Sequence, residues 1–367
     1  MMSLKHIDRE LNEFFDSLGV ELTDEMYQLY LTTGEVNFNS KYWLEATTAA
    51  TVTGIVKSTE LALSGSEFTI SNVDELQEYY LTSPYKGSTL SSSLRGAAKD
   101  ASKIMQTTVH DHLKTKTTFT RLAEALTKKN VSKGDLPSHL VELNKQAKIV
   151  IGNPSATAKE KAKLDAMLKK SKAEIEKLSK NNAPTKQLKA AYDKVINAVE
   201  KGSEKALQKQ MEYAMKRKVE YNNKRIARTE LARAHSEAFQ RKILKDKGVE
   251  TVRILLDAKH NIKDECDMLA GADLYGLGKG VYPKAKAPMP PYHPHCICSA
   301  LESAKSAKGA RFSNERAEEY LKKLPNYKRK AMLQGGKVKD WREDLKGYDG
   351  ELTDKPKALP ERLVKKG

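Results

Sequence analysis

The sequence predicts a mainly α-helical protein with a small C-terminal α+β module, and three observations lead there. Apolar residues recur at steps of three and four through long stretches before position 247, which is helical spacing. After Gly248 the character changes, because Glu250-Thr251-Val252-Arg253-Ile254-Leu255-Leu256-Asp257 is a β-branched, apolar run of strand type. Beyond it, all three cysteines fall between Cys266 and Cys298, beside His293 and His295. A chain of 367 residues holds two or three domains. The expected layout is a helical N-terminal domain over 1–130, a basic helical hairpin and long helix over 131–247, the Cys/His-bearing module over 248–345, and a mobile basic tail over 346–367.

Taken in order, 8–18 and 24–31 have helical apolar spacing, and 41–63 is a longer helix dense in alanine and threonine. Small side chains there let another helix approach closely; alanine's helix propensity is the other reason for them. Gly87-Ser88-Thr89-Leu90-Ser91-Ser92-Ser93 reads as a loop, with a serine capping a helix that continues to about Asn130. Thr157-Ala158-Lys159-Glu160 is a capping box. Leu164, Leu168, Ser171, Ile175 and Leu178 then form a narrow seam; Asn181-Asn182-Ala183-Pro184 breaks it, and Leu188, Tyr192, Val195 and Val199 restart it. Two seams a turn apart imply an antiparallel helical hairpin whose narrow apolar faces need a cover. After the strand, glycines at 271, 276, 278 and 280 mark turns, and Gly280-Val281-Tyr282-Pro283 is a short hairpin arm. Those glycines fit neither a P-loop nor a dinucleotide fingerprint. From Asn314 the chain reads as helical through Leu324-Pro325 to Trp341, and Pro356 and Pro360 among lysines suggest the mobile end.

Charge divides the chain. Residues 1–100 carry 7 Lys/Arg against 15 Asp/Glu, a balance of −8; residues 101–250 carry 34 against 17, or +17; the remainder carries 24 against 16, or +8. A basic middle favours polyanions through counterion release, so sequence-independent DNA contact is one reading. The other is a solvated lysine-rich face, since few aromatics are interleaved to stack on bases. No apolar run reaches the ~20 residues of a membrane span, and the opening residues lack the apolar core of a signal peptide. Cytoplasmic synthesis of a soluble protein is expected.

The cysteines carry the chemistry. Soft thiolates and imidazoles in one region suit zinc, which takes four nitrogen or sulfur ligands in a tetrahedron. Cys266, Cys296 and Cys298 supply three, and His293 is the candidate fourth, with His295 the alternative. The prolines hold the segment extended. A Cys-x-Cys pair in a regular strand points to opposite faces, so a tight turn is required. The competing reading makes Cys266 a buried small hydrophobe, with the histidines bonded to backbone. An odd cysteine count in a chain large enough to bury a core argues against a disulfide.

These residues resemble a family. A helix bearing Arg228-x-Glu230-x-x-Arg233-Ala234, a β-prone run, Cys266-x-x-Leu269-x-Gly271 and Pro290-Pro291-x-His293-Pro294-x-Cys296-x-Cys298 together resemble the Mu F-like minor head proteins of tailed bacteriophages, the phage head morphogenesis family. The resemblance spans about 221–341. Two positions depart from it: Lys263 stands where many members have a further cysteine, and Ile297 where arginine is usual between the last two. The first removes a four-cysteine site and makes a histidine ligand necessary for a metal. The resemblance implies a structural, non-enzymatic minor capsid protein of the virion. It would be associated with the portal and inner capsid, act in head assembly, DNA packaging or ejection, and assemble in the host cytoplasm, with no membrane and no small-molecule substrate. Arg228, Glu230, Arg233 and Gly271 are then structural motif residues, the charged three fixing packing through Arg–Glu contacts.

The alternative from another class is a zinc-dependent nuclease or other DNA-processing enzyme, suggested by basic charge with His and Cys. No residue is assigned a catalytic role: His110 and His112, two apart in an expected helix, do not share a face, and there is neither a nucleophile elbow nor a His-Glu-x-x-His.

Overall fold

The computed structural model describes residues 9–10, 13, 40–85, 87–97, 136–178, 183–258, 260, 263–293, 296, 298–333, 338–339, 341 and 358–366. Of the helices expected at 8–18, at 24–31 and from the serine run to about Asn130, only Arg9, Glu10, Glu13 and residues 94–97 fall among them, and all of these are helical. The described chain is mainly helical, with two small antiparallel sheets. It divides into two compact units, one formed by 12–49 with 92–224, the other by 1–11, 50–91 and 225–367. These cut across the expected breaks at 130 and 247. One boundary lies inside the 42-residue helix Glu204–Lys245, where no change of composition marks it.

In the first unit, α3 (Ser138–Val150), α4 (Ala158–Glu176), α5 (Ala183–Glu200) and the first half of α6 (Glu204–Lys245) build an apolar core. The expected box at Thr157 is formed: its hydroxyl accepts from Glu160 N at 3.2 Å, while the Glu160 carboxylate accepts from Thr157 N at 2.8 Å. Two orphan amides at the start of α4 are thereby satisfied. The α4 seam buries Leu164, Ser171 and Ile175 and the α5 seam buries Leu188, Tyr192, Val195 and Val199. The cover that such narrow faces require comes from Leu140, Leu143 and Ala147 of α3 and from Leu207, Met211 and Ala214 of α6. Lys159, Lys161, Lys163, Lys169 and Lys170 of α4 are exposed, as is Lys172, which pairs with Glu200 of α5 at 2.5 Å.

The second unit contains most of α1 (Ser40–Leu63), then β1 (Phe68–Ile70), α2 (Val73–Thr82) and the C-terminal half of α6. The closeness expected of the Ala/Thr-rich helix occurs at Gly54, where a Cβ would lie 3.0 Å from Leu231 Cδ1 of α6. Only a residue without a side chain fits that contact without displacing Leu231. The helix after Gly87 begins at Leu90, so Leu90 and the serines at 91–93 are helical rather than loop; Leu90 and Leu94, a turn apart, are both buried.

Beyond α6, β2 (Thr251–Leu255) is the centre of a three-stranded sheet, flanked by β3 (Val281–Pro283) and β4 (Ser299–Ser303) in the order β3-β2-β4. Val252 faces Tyr282 on one side and Glu302 on the other. The short α7 (Glu265–Gly271) lies between β2 and β3 in the chain. The expected helix from Asn314 to Trp341 is interrupted: α8 (Asn314–Lys322) and α9 (Asn326–Met332) are separate, and Trp341 is again helical. Leu324 precedes a proline and is steered out of the helical region, while Pro325, at φ −53°, stands as the N-cap of α9.

The reading of a mobile tail is corrected for 358–366. β5 (Val364–Lys366) pairs antiparallel with β1, Phe68 facing Lys366, and Leu359 and Leu363 are fully buried. Leu359 N donates to Glu237 O at 2.9 Å, and Arg241 Nε donates to Leu359 O at 2.5 Å. Lysines and prolines signalled mobility, but two leucines and backbone pairing outweigh them.

Candidate metal centre

Local chemistry sets up the site from both ends. Asp264 caps α7, its carboxylate accepting from Cys266 N at 2.9 Å, and Asp267 closes a second capping box by accepting from Asp264 N at 3.2 Å. This directs Cys266, fully buried in the first turn of α7, toward the proline-rich segment. At Gly271, the last residue of α7, a Cβ would lie 2.5 Å from the Tyr320 hydroxyl, which donates to Asp267 O at 3.1 Å, so only glycine fits there. From the other end, Tyr85 donates to Pro291 O at 2.7 Å and Tyr292 to Pro288 O at 2.5 Å, fixing the approach to His293. Cys296 N donates to His293 O at 3.1 Å, whereas the turn that the Cys296-x-Cys298 pair requires falls at Ile297, outside the described residues.

These contacts bring the predicted ligands together. Cys266 Sγ lies 3.1 Å from His293 Nε2 and 3.7 Å from Cys296 Sγ. Zinc held by two thiolates at about 2.3 Å in tetrahedral geometry sets their sulfurs about 3.8 Å apart, so the thiol pair already has the spacing of a shared ion. Donor atoms of Cys266, His293 and Cys296 all lie within 4.8 Å of one another, as do those of His260, Cys266 and Cys298. Cys266 belongs to both groups. The three thiols are free and buried. His295, the alternative ligand, and Ile297 lie outside the described residues.

The electrostatics are those of a crowded donor set. Hydrogen bonds with Cys296 and Cys298, with burial added, push the Cys266 thiol far up. Donation from Cys266 and Cys298 holds Cys296 well down against burial. Cys298 is raised: donation from Cys266 lowers it, but Cys296 and burial prevail. The three thiols act on one another through shared hydrogen bonds, and a dication would let all three ionise.

His260 was not foreseen. Its side chain is only 4% exposed, and its Nε2 lies 3.0 Å from Asp267 Oδ2 and 3.4 Å from Asp264 Oδ1. Burial would lower its pKa, but those carboxylates and Cys298 carry it up to about 12. Asp264 also meets His293 Nε2 at 3.2 Å, and both imidazoles hold its carboxyl far below the usual range despite burial. Asp257 and Cys266 flank His260 in sequence, and its fit to the region's residue types was the available signal; no standard ligand spacing pointed to it.

A second polar cluster surrounds the Arg-Glu-Arg helix in the same unit. Arg233 Nε donates to Glu237 at 2.9 Å and its NH1 to Glu230 at 3.3 Å, with all three residues buried. The guanidinium also sits over the rings of Tyr80 and Tyr85 at 5.1 and 5.0 Å, and Tyr80 donates to Glu237 at 3.0 Å. Arg233 and Glu237 therefore join α6 to α2, with Glu230 bonded to Arg233 on the same helix, and Arg228 is half-buried. Glu237 and the tyrosines were not singled out from sequence. Burial, offset in part by Arg233, pushes Glu230 up to about 7.

Comparison with family models, curated proteins and solved structures finds no match for the chain. Among the described residues, no helix is long and apolar enough to cross a membrane.

Proposed function

We propose that the protein is a structural minor head component of a tailed bacteriophage, stabilised by one zinc ion at Cys266, His293, Cys296 and Cys298. The observation that carries this is the meeting of Cys266 with His293 at 3.1 Å and with Cys296 at 3.7 Å, beside a second donor group in which Cys266 lies with Cys298 and His260. The residues that carry the likeness to the Mu F-like proteins are the same ones that converge, which favours a centre built to hold the module together. Three thiolates and one imidazole fill a tetrahedral zinc and leave no position for a reactive water, which supports a structural role over the nuclease alternative. Zinc bound there would tie the start of α7 to the proline-rich loop, and its binding free energy would add to folding.

In this reading the protein is not an enzyme, sits in the virion after assembly in the host cytoplasm, and partners the portal and inner capsid. The exposed lysines of α4 offer packaged DNA a contact carrying no base information.

Two measurements test it. Protein purified without chelator should hold about one zinc per chain, and Cys296→Ser should lose the metal and melt earlier. A metal-free wild type whose melt is unchanged by Cys296→Ser removes the zinc centre. Separately, the full-length chain should co-sediment with portal protein and be found in assembled heads; absence from both removes the head assignment.

A further inference from the structure

The zinc reading leaves one imidazole over. Four donors complete a tetrahedral ion, but two groups that share Cys266 offer five: His260 with Cys266 and Cys298, and His293 with Cys266 and Cys296, each group within 4.8 Å. Cys266 is common to both groups, so an ion on its sulfur has an imidazole available on either side.

We infer that His260 is a ligand of this same centre, exchangeable with His293, so that one zinc is held by three thiolates and by either imidazole. The argument rests on the zinc reading above and on three features of His260. First, it is the more enclosed of the two, 4% exposed against 20% for His293. Second, it is anchored on the backbone: His260 N donates to Asp257 O at 2.8 Å, just beyond β2, which holds the ring near the site. Third, the carboxylates facing its Nε2 have other partners when that nitrogen turns to a metal. Asp267 keeps Lys263 at 2.5 Å and the amide of Asp264, and Asp264 keeps the amide of Cys266. Ligation by His260 therefore orphans no buried charge, the usual cost of moving such a group. The carboxylate of Asp264, which meets both imidazoles, takes up whichever ring is not on the ion. Hydrogen-bonded carboxylates beside metal-bound histidines orient them and sustain affinity.

Exchangeable ligands predict redundancy. Full-length protein, stripped of metal under reducing conditions, is titrated with zinc against a chromophoric chelator. His293→Ala and His260→Ala should each still bind about one zinc, weakened by about tenfold, while the double variant should lose more than about a hundredfold, as loss of a ligand without replacement requires. Cobalt substituted for zinc should give a three-sulfur, one-nitrogen absorption spectrum in both single variants, a readout that general destabilisation would not preserve. His260→Asn and His293→Asn, which keep a polar side chain, guard against misfolding of the alanine variants. Loss of all zinc in His293→Ala, with His260→Ala equal to wild type, makes His293 the sole fourth ligand and overturns the inference while leaving the zinc centre intact. Complete loss in His260→Ala alone overturns exchange in the other direction. Wild type that binds no zinc removes the centre itself.

Discussion

The two units are held together by different forces. In the helical unit, Leu140, Leu143, Ala191 and Val195 are fully excluded from solvent in a core of leucine, alanine and valine, and its polar contacts are mostly at the surface. The other also buries apolar residues such as Ile55, Leu76 and Leu269, but encloses polar clusters among them: Arg233 between Glu230 and Glu237, and three thiols beside two imidazoles and two carboxylates. An apolar interior tolerates a small loss in proportion to the volume removed. A polar interior does not degrade in that way, because removing one partner strands another. The helical unit is the kind of structure that many sequences specify, whereas the second demands particular atoms in particular places.

The sharpest way to break this contrast is to remove one charge. Arg233→Ala should destabilise the protein by about 3–5 kcal/mol, since two buried carboxylates lose their shared cation. Urea denaturation measures it, and a loss below about 1 kcal/mol would mean the cluster is wetter than the structure indicates. Next in size is Leu143→Ala in the helical unit, expected at about 3 kcal/mol from transfer and cavity terms together. An equal or larger loss than for Arg233→Ala would erase the distinction between the two interiors.

The smallest effect sharpens the contrast through pH. Glu230 is raised from 4.5 to about 7 by burial, so the folded state holds its proton more tightly than the unfolded one. Its contribution to stability is fully present below its unfolded value and is lost as pH rises through about 7. Wild type should therefore lose about 2 kcal/mol between pH 5 and 8 that Glu230→Gln does not lose. Melting curves of zinc-loaded protein at the two pH values read this directly, and parallel profiles for the two proteins would show that Glu230 does not titrate in that range.

Legibility in the sequence followed the range of each interaction. The Thr157 box, the α4 and α5 seams and the β2 run are local patterns, and each could be read from a few neighbouring residues. Cys266, His293, Cys296 and Cys298 were legible through residue type, which limits the chemistry open to them. His260 escaped because its nearness to Cys266 and Cys298 is a tertiary contact, which spacing does not encode. Glu237 and Tyr80, 157 positions apart, are joined only by packing. The break at Leu324-Pro325 was present in the sequence; the amphipathic pattern on either side was allowed to outweigh the proline.

The pairing of β5 with β1 bears on how the protein is made. Strands roughly three hundred positions apart meet, so a long loop must close before either gains from the other. A ribosome finishes Phe68–Ile70 long before it reaches Val364, and meanwhile β1 lacks the strand it will pair with. The helical unit, whose described core residues lie between Leu136 and Ala214, is made entirely before residue 225 and can condense during that interval. Its neighbour must wait for the residues around Leu359 and Leu363, so truncation late in translation would spare one unit and leave the other unfinished.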